Sequence, residues 1–192
     1  MTWEAHYADG AGRRHWPNCE LVAFVAGKRF TRVLEAGSGV GGNLRLWDVS
    51  TYVVGLDGYL PILREARANV ARGAMVGGDV RALPFREASF DLVIDCLTSQ
   101  HVPWLDHAPL YREYRRVLQT GGWLWIQHLD DETEGERRLF PTVTDFCLPK
   151  DVALFKVVKR AGFARPTVRG LMRIYPYGQA VASYSIIEAE AA

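Results

Sequence analysis

Three acids and a run of glycines carry the chemistry this chain could do. In "RVLEAGSGVGGNLRLW" (32–47) a short apolar stretch passes Glu35 and breaks into Gly37, Gly39, Gly41 and Gly42. Gly37, Gly39 and Gly42 fit G-x-G-x-x-G, the loop that brings a dinucleotide pyrophosphate to bare N–H groups at a helix N-terminus. Gly37, Gly39 and Gly41 fit G-x-G-x-G instead. Glu35 helps to separate the two readings. A carboxylate at the loop mouth repels a pyrophosphate and attracts a sulfonium or an ammonium; as an alternative, Glu35 braces the loop by accepting backbone N–H bonds. Asp57 lies about 20 residues beyond the glycines, where a carboxylate accepts from both hydroxyls of a ribose. Asp79, in "GGDVRALPF", can accept from an adenine amine while the Val80 N–H donates to the ring. It also reads as an ordinary loop-capping aspartate.

Alternating strands and helices position these residues. "RVLEA" (32–36), "YVVGLD" (52–57), "GAMVGGD" (73–79), "SFDLVIDCL" (89–97) and "GWLWIQHL" (122–129) read as buried strands. Between them, "LPILREARANVA" carries Pro61 in its first turn and Leu63, Ala66 and Val70 on one face. "APLYREYRRVL" aligns Leu110, Tyr114, Val117 and Leu118, and "KDVALFKVVKRAGF" aligns Leu154, Val158 and Ala161, with Gly162 ending that helix. This alternation implies a parallel sheet covered on both faces, with ligands beyond the carboxyl ends of its strands. The last 27 residues read as two strands around a Tyr-Pro-Tyr-Gly turn, an antiparallel hairpin at the sheet edge. Ahead of the first strand, "WPNCELVAFVAG" reads as a helix with Leu21, Phe24 and Val25 on one face.

Residues 32–129 resemble the core of a class I S-adenosylmethionine (SAM)-dependent methyltransferase. "VLEAGSGVGG" resembles its glycine motif and "VVGLDGYLPILREAR" its ribose-binding acid and following helix. "GDVRALPFREASFDLVID" resembles the adenine-contact segment and fourth strand, and "YREYRRVLQTGGWLWI" the next helix, glycine turn and fifth strand. The resemblance implies a Rossmann-like α/β fold: a seven-stranded, mostly parallel sheet with an antiparallel last strand and helices on both faces. It implies SAM as cofactor, S-adenosylhomocysteine as product, and cofactor contacts from Glu35, Gly37, Ser38, Gly39, Gly41, Asp57, Gly58, Asp79, Val80 and Asp95. Asp95 reads as closing the cofactor floor rather than as moving protons. Two features depart from the family pattern. The helix after the glycines has little room before Tyr52, so it is short or Trp47 turns the chain early. Tyr59 or Leu60 stands where the family often has a small apolar residue against the adenine.

Methyl transfer needs a base only when the acceptor must lose a proton. His101, in "DCLTSQHVPW", and His128, in "IQHLDDE", are the candidates, on loops expected to open on one crevice. Each also reads as a loop-capping or packing residue. The acidic run from Asp130 to Glu136 reads as a solvated loop. Trp3, Tyr7, His15 and Trp16 form an aromatic group that is either a lid over the ligands or a staple for the first helix. Arg13 and Arg14 stand beside it.

The chain has 192 residues, 48% apolar and 23% charged, with a formal net charge of +1, as expected of one globular domain. That domain divides into a helical cover (1–30), a cofactor core (31–129) and a C-terminal helix and hairpin (130–192). The charge balance argues against a broad nucleic-acid or membrane footprint. Cys19, Cys96 and Cys147 are widely spaced, so free thiols in the cytoplasm are expected and a metal site is not. The expected function is methyl transfer to a small-molecule acceptor by a monomer or homodimer, through proximity and in-line displacement. The alternatives are a methyltransferase acting on protein or nucleic acid, a nicotinamide oxidoreductase, and a non-catalytic SAM-binding protein.

Overall fold

In the computed structural model, residues 7–8, 13–129, 151–174 and 181–192 are described. The acidic run, Trp3, Cys147 and the Tyr-Pro-Tyr-Gly turn lie outside them. Helix α1 (Cys19–Val25) leads into β1 (Arg32–Ala36), a single 3-10 turn (Asn43–Leu46) and β2 (Tyr52–Asp57). Helix α2 (Leu60–Arg67), β3 (Gly73–Gly77) and β4 (Phe90–Cys96) follow. Two short 3-10 turns (Ser99–His101 and Trp104–Asp106) lead to α3 (His107–Val117) and β5 (Leu118–Leu129). The described chain ends with α4 (Asp151–Arg160), β6 (Phe163–Ile174) and β7 (Val181–Ala191).

The seven strands form one sheet in the order β3-β2-β1-β4-β5-β7-β6. β1 pairs in parallel with both β2 and β4, so the chain runs outward in opposite directions from that pair. A topological switch point results, with its crevice beyond Ala36 and Cys96. β7 runs antiparallel between β5 and β6. The expected hairpin pair is therefore present, with β6 rather than β7 at the edge. β6 shifts register between Ala164 and Thr167, around Pro166. A proline and a bulge are ordinary devices for blunting an exposed edge.

Side-chain alternation along the strands feeds two cores. Leu34, Val54, Val93, Leu124 and Ile187 face α3 and α4, where they meet Leu110, Tyr114, Val117, Leu154 and Val158. Val33, Val53, Leu92, Ile94 and Trp125 face α1, meeting Leu21 and Phe24. The helix expected over "WPNCELVAFVAG" begins after Pro17. The Asn18 side chain caps it by accepting from the Glu20 N–H. After the glycines the helix is one 3-10 turn, and Trp47 is already extended. The tight space before Tyr52 dictates this.

The loop after β4 is shaped by one buried acid. Asp95 Oδ1 accepts from the Thr98 and Ser99 N–H groups at 3.0 and 3.1 Å, and Oδ2 accepts from the Tyr114 hydroxyl at 3.1 Å. Burial raises the Asp95 pKa, and these donors oppose the shift. Tyr114→Phe should lower unfolding stability by about 1–3 kcal/mol, the cost of a lost bond to a buried carboxyl. Urea denaturation measures it; an unchanged midpoint would mean the loop N–H groups alone hold Asp95.

Candidate functional site

The glycine loop leaves β1 with Gly37, Gly39 and Gly41 all in the left-handed region, at φ of 74°, 51° and 75°. Gly42 is right-handed, at φ −58°. It is small for another reason: a Cβ there would lie 2.0 Å from the Arg14 carbonyl oxygen. The backbone thus follows G-x-G-x-G, and the fourth glycine lets the N-terminal segment close over the turn.

The loop spends its own donors. The Gly37 and Ser38 N–H groups donate to the Leu56 carbonyl at 2.7 and 2.9 Å, and Gly41 N–H donates to Ser38 O at 2.8 Å. Gly39 N–H donates to Asp57 Oδ2 at 2.9 Å. A phosphate cradle needs such groups free, and here four of them are engaged within the protein.

Two buried carboxyls lie at the strand ends on the α1 side of the sheet. Asp57 also accepts from the Tyr59 N–H, at 2.8 Å through Oδ1. Each of its oxygens therefore retains one lone pair. Burial raises its pKa, and the Tyr59 and Gly39 N–H groups oppose that shift. Glu35 is 3% exposed. Its Oε1 accepts from Asn43 Nδ2 at 2.6 Å, and its Oε2 has no hydrogen-bond partner among the described residues. Burial pushes this carboxyl up to about 8, against the pull of the Asn43 bond and with a smaller push from Asp57 and Asp95. Burial therefore favours the protonated form of Glu35, and a neighbouring cation would favour its ionisation. The expected backbone-bracing role is taken by Asp57 instead.

The cover over this loop is Tyr7, whose hydroxyl would lie 3.3 Å from a Cβ at Gly39. Its ring stacks on Tyr59 at 5.4 Å between centroids. Burial, with Asp57 and Glu35 close by, raises the Tyr7 pKa. Tyr59 is thus part of the cover, while Leu60 is exposed. Arg13 ties the cover down, donating to the Tyr7 carbonyl at 3.0 Å and pairing with Glu65 at 2.6 Å. Trp16 is 77% exposed under the Arg45 guanidinium, so it does not join Tyr7 over the loop.

The other expected residues are placed differently. Ser38 is buried under the loop against Gly55. Gly58 is exposed, and Val80 is partly buried against the α3-side core. Asp79 is largely exposed and clamped by Arg81, which also reaches Asp106; that guanidinium holds its carboxyl below the usual range. Asp79 Oδ1 also accepts from the Arg81 N–H at 2.8 Å, the loop-capping geometry. Asp95 lies on the face opposite Glu35, with both oxygens engaged by its own loop and α3. His101 stands on the turn after β4, 3.3 Å from Gln100 Nε2.

His128 corrects an expectation. It does not open on a crevice: it is fully buried on the α3 side, with Nδ1 2.6 Å from Leu129 O and its ring 5.9 Å from His107. Burial lowers its pKa to about 3, so it does not take up a proton near neutrality.

Composition and spacing gave no signal for Asn18, Asn43, Thr98 or Gln127. Asn18 N–H donates to Asn43 Oδ1 at 2.8 Å, and Asn18 Nδ2 donates to Gln127 Oε1 on β5. Thr98 Oγ1 donates to Ala36 O at 2.8 Å. It lies 2.1 Å from where a Cβ at Gly37 would stand, locking the loop after β4 onto the glycine loop. Among the described residues no group of His, Cys, Asp or Glu could hold a metal, and no helix is long and apolar enough to cross a membrane.

Residues 34–126 match the family described as methyltransferase domain. A malonyl-[acyl-carrier protein] O-methyltransferase of Enterobacter lignolyticus is 40% identical over 119 residues, covering 62% of this chain and 47% of the relative. A demethylmenaquinone methyltransferase of Roseiflexus castenholzii is 36% identical over 106 residues, covering 53% and 44%. The chain thus spans about half the length, or less, of these relatives. In fold it matches a SAM-dependent methyltransferase of Thermotoga maritima, with a TM-score of 0.70 and 18% identity over 90% of this chain and 87% of that one. It also matches Haemonchus contortus phosphoethanolamine N-methyltransferase 2, solved with S-adenosylhomocysteine (TM-score 0.72, 18% identity, 88% and 51% covered). Residues 34–126 thus resemble a methyltransferase domain, and the chain has the fold of SAM-dependent methyltransferases.

Glu35 gives a test of the site's electrostatics. The folded protein holds the Glu35 proton up to about pH 8, whereas the unfolded chain releases it near the ordinary carboxylate value. Its contribution to stability is therefore present at low pH and lost as pH rises through about 8. Glu35→Gln removes this loss, so the variant's melting temperature should gain on the parent's between pH 5 and pH 8. A parallel shift of both proteins with pH would place the Glu35 proton elsewhere.

Proposed function

We propose that the chain transfers a methyl group from SAM to a small-molecule acceptor, releasing S-adenosylhomocysteine. One observation carries the reading: the buried Glu35 carboxyl keeps an unmatched oxygen beside a glycine loop that has four of its N–H groups engaged within the protein. Such a site suits a cation and gives little to a pyrophosphate. The relatives named above, on malonyl-[acyl-carrier protein] and demethylmenaquinone, and the near-neutral charge are consistent with a small acceptor group.

When bound, the cofactor supplies a methyl group on a sulfonium. The protein's residues bind, align and dehydrate. Glu35 gives up its proton as the cofactor's positive charge arrives, and the carboxylate then holds that charge at the β1 end. Asp57 uses its two remaining lone pairs on the ribose hydroxyls while its other pairs keep Gly39 and Tyr59 in place. Gly37, Ser38, Gly39 and Gly41 bring backbone against the ligand, with Gly58 and Val80 on the nucleoside side. Asp79 accepts from the adenine amine by sharing its carboxylate with Arg81, and Asp95 acts by shaping the loop that carries Thr98. Tyr7 and Tyr59 exclude water, so alignment rather than acid–base chemistry lowers the barrier. For an acceptor that must lose a proton, His101, on the turn after β4, is the proposed base.

Calorimetry with SAM, S-adenosylhomocysteine and NAD tests this reading. SAM and S-adenosylhomocysteine should bind, NAD should not, and Asp57→Ala should weaken both ligands by about 1–3 kcal/mol. Binding of SAM near neutral pH should release protons, read from buffers of different ionisation enthalpy, and Glu35→Gln should reduce the release. NAD binding without SAM binding would overturn the assignment.

A further inference from the structure

Among the buried polar atoms on the α1 side of the sheet that have no partner among the described residues, which include Ser38 Oγ and Trp125 Nε1, are Glu35 Oε2, an acceptor once the carboxyl is ionised, and Gln127 Nε2, a donor. Their chemical identities are fixed by two backbone N–H groups. Glu20 N–H donates to Asn18 Oδ1 at 2.9 Å, so Asn18 Nδ2 must be the donor that meets Gln127 Oε1. Gln127 therefore turns its oxygen toward Asn18 and has its Nε2 left over. In the same way, Asn18 N–H donates to Asn43 Oδ1 at 2.8 Å, so Asn43 Nδ2 is the donor to Glu35 Oε1 at 2.6 Å. Flipping any of these amides would set donor against donor or acceptor against acceptor.

The chain Glu35–Asn43–Asn18–Gln127 bridges β1 to β5 across β4. Gln127 is level with Cys96, the last residue of β4, and Asn18 Nδ2 also lies 3.6 Å from Cys96 Sγ. Gln127 is fully buried, and an unmatched donor there is costly unless a ligand uses it. A ligand meeting both atoms must offer a donor at the Glu35 end and an oxygen acceptor at the Gln127 end. An amino-acid headgroup has that polarity. Arg14 lies near enough to act electrostatically on the Cys96 thiol, adding positive potential on the carboxylate side.

We propose that Gln127 Nε2 donates a hydrogen bond to the α-carboxylate of the cofactor's amino-acid tail while Glu35 Oε2 accepts from its α-ammonium. Gln127 is then a cofactor-recognition residue contributed by the fifth strand and oriented by the N-terminal segment through Asn18. The assignment rests on the SAM reading above and adds the tail's partner to it.

Three probes separate the parts by calorimetry. S-adenosylhomocysteine carries both charges of the tail, its decarboxylated analogue only the ammonium, and 5′-methylthioadenosine neither. Gln127→Leu should weaken S-adenosylhomocysteine roughly 10- to 100-fold and leave the other two unchanged. Gln127→Glu, which sets a carboxylate against a carboxylate, should weaken S-adenosylhomocysteine further and leave the decarboxylated analogue bound at least as tightly. Glu35→Gln should weaken both ammonium-bearing probes and spare 5′-methylthioadenosine. Equal loss on all three probes in the Gln127 variants, or no loss on any, overturns the proposal. If Gln127→Leu does not fold, Gln127→Glu decides alone, because 5′-methylthioadenosine reports its intact nucleoside site. Failure of the parent protein to bind any of the three would instead overturn the SAM reading itself.

Discussion

The site depends on what it costs to bury a carboxyl at the end of a parallel strand. β1 and β2 lie inside the sheet and are covered on both faces, so Glu35 and Asp57 cannot turn to solvent. An ionised group there must find donors or take up a proton. The two acids meet this constraint differently. Asp57 recruits two backbone N–H groups, one of them from the glycine loop, and so fixes that loop's height above the sheet. Glu35 receives one side-chain amide and keeps its proton. Asp57 is engaged by the loop it holds, and Glu35 keeps one oxygen without a partner among the described residues.

Strand alternation then sorts the polar residues into two sets. Glu35, Asp57 and Gln127 fall on the α1 side, where the N-terminal segment closes. Asp95 and His128 fall on the α3 side, against Tyr114 and His107. Adjacent residues such as Gln127 and His128 therefore do unrelated work. One lies at the crevice, and the other packs in the core with its imidazole held neutral.

That division also explains what could be read from the chain. The strands were legible because a sheet buried on both faces needs near-continuous apolar runs, and β1, β2 and β4 have them. The loop was legible because only glycine adopts φ near +75° without strain, although which three of the four glycines bend needed the backbone. The placement of His128 was not legible from its loop-like neighbours; it follows from counting alternation from Trp125, whose face the three-dimensional packing sets. Asp79 offered a carboxylate at the right strand end, but Arg81, two residues on, folds back onto it in an exposed clamp. The relay from Asn18 to Gln127 joins residues 109 apart in sequence, and no local pattern marks such a contact.

The relay also gives the N-terminal segment a role beyond shielding. Asn18 contributes its backbone N–H to Asn43 and its side chain to Gln127, while the Arg14 carbonyl sits where a Cβ of Gly42 would be. The segment therefore cannot move away without releasing the amides that orient Glu35 and Gln127. A polar relay in a low-dielectric setting makes this coupling steep, because a half-made chain leaves several buried groups unmatched at once. Tyr7 stacks on Tyr59 over the glycine loop, which shields the loop from water. Electrostatic attraction is strongest under that condition, and it requires no residue beyond those the fold already holds in place.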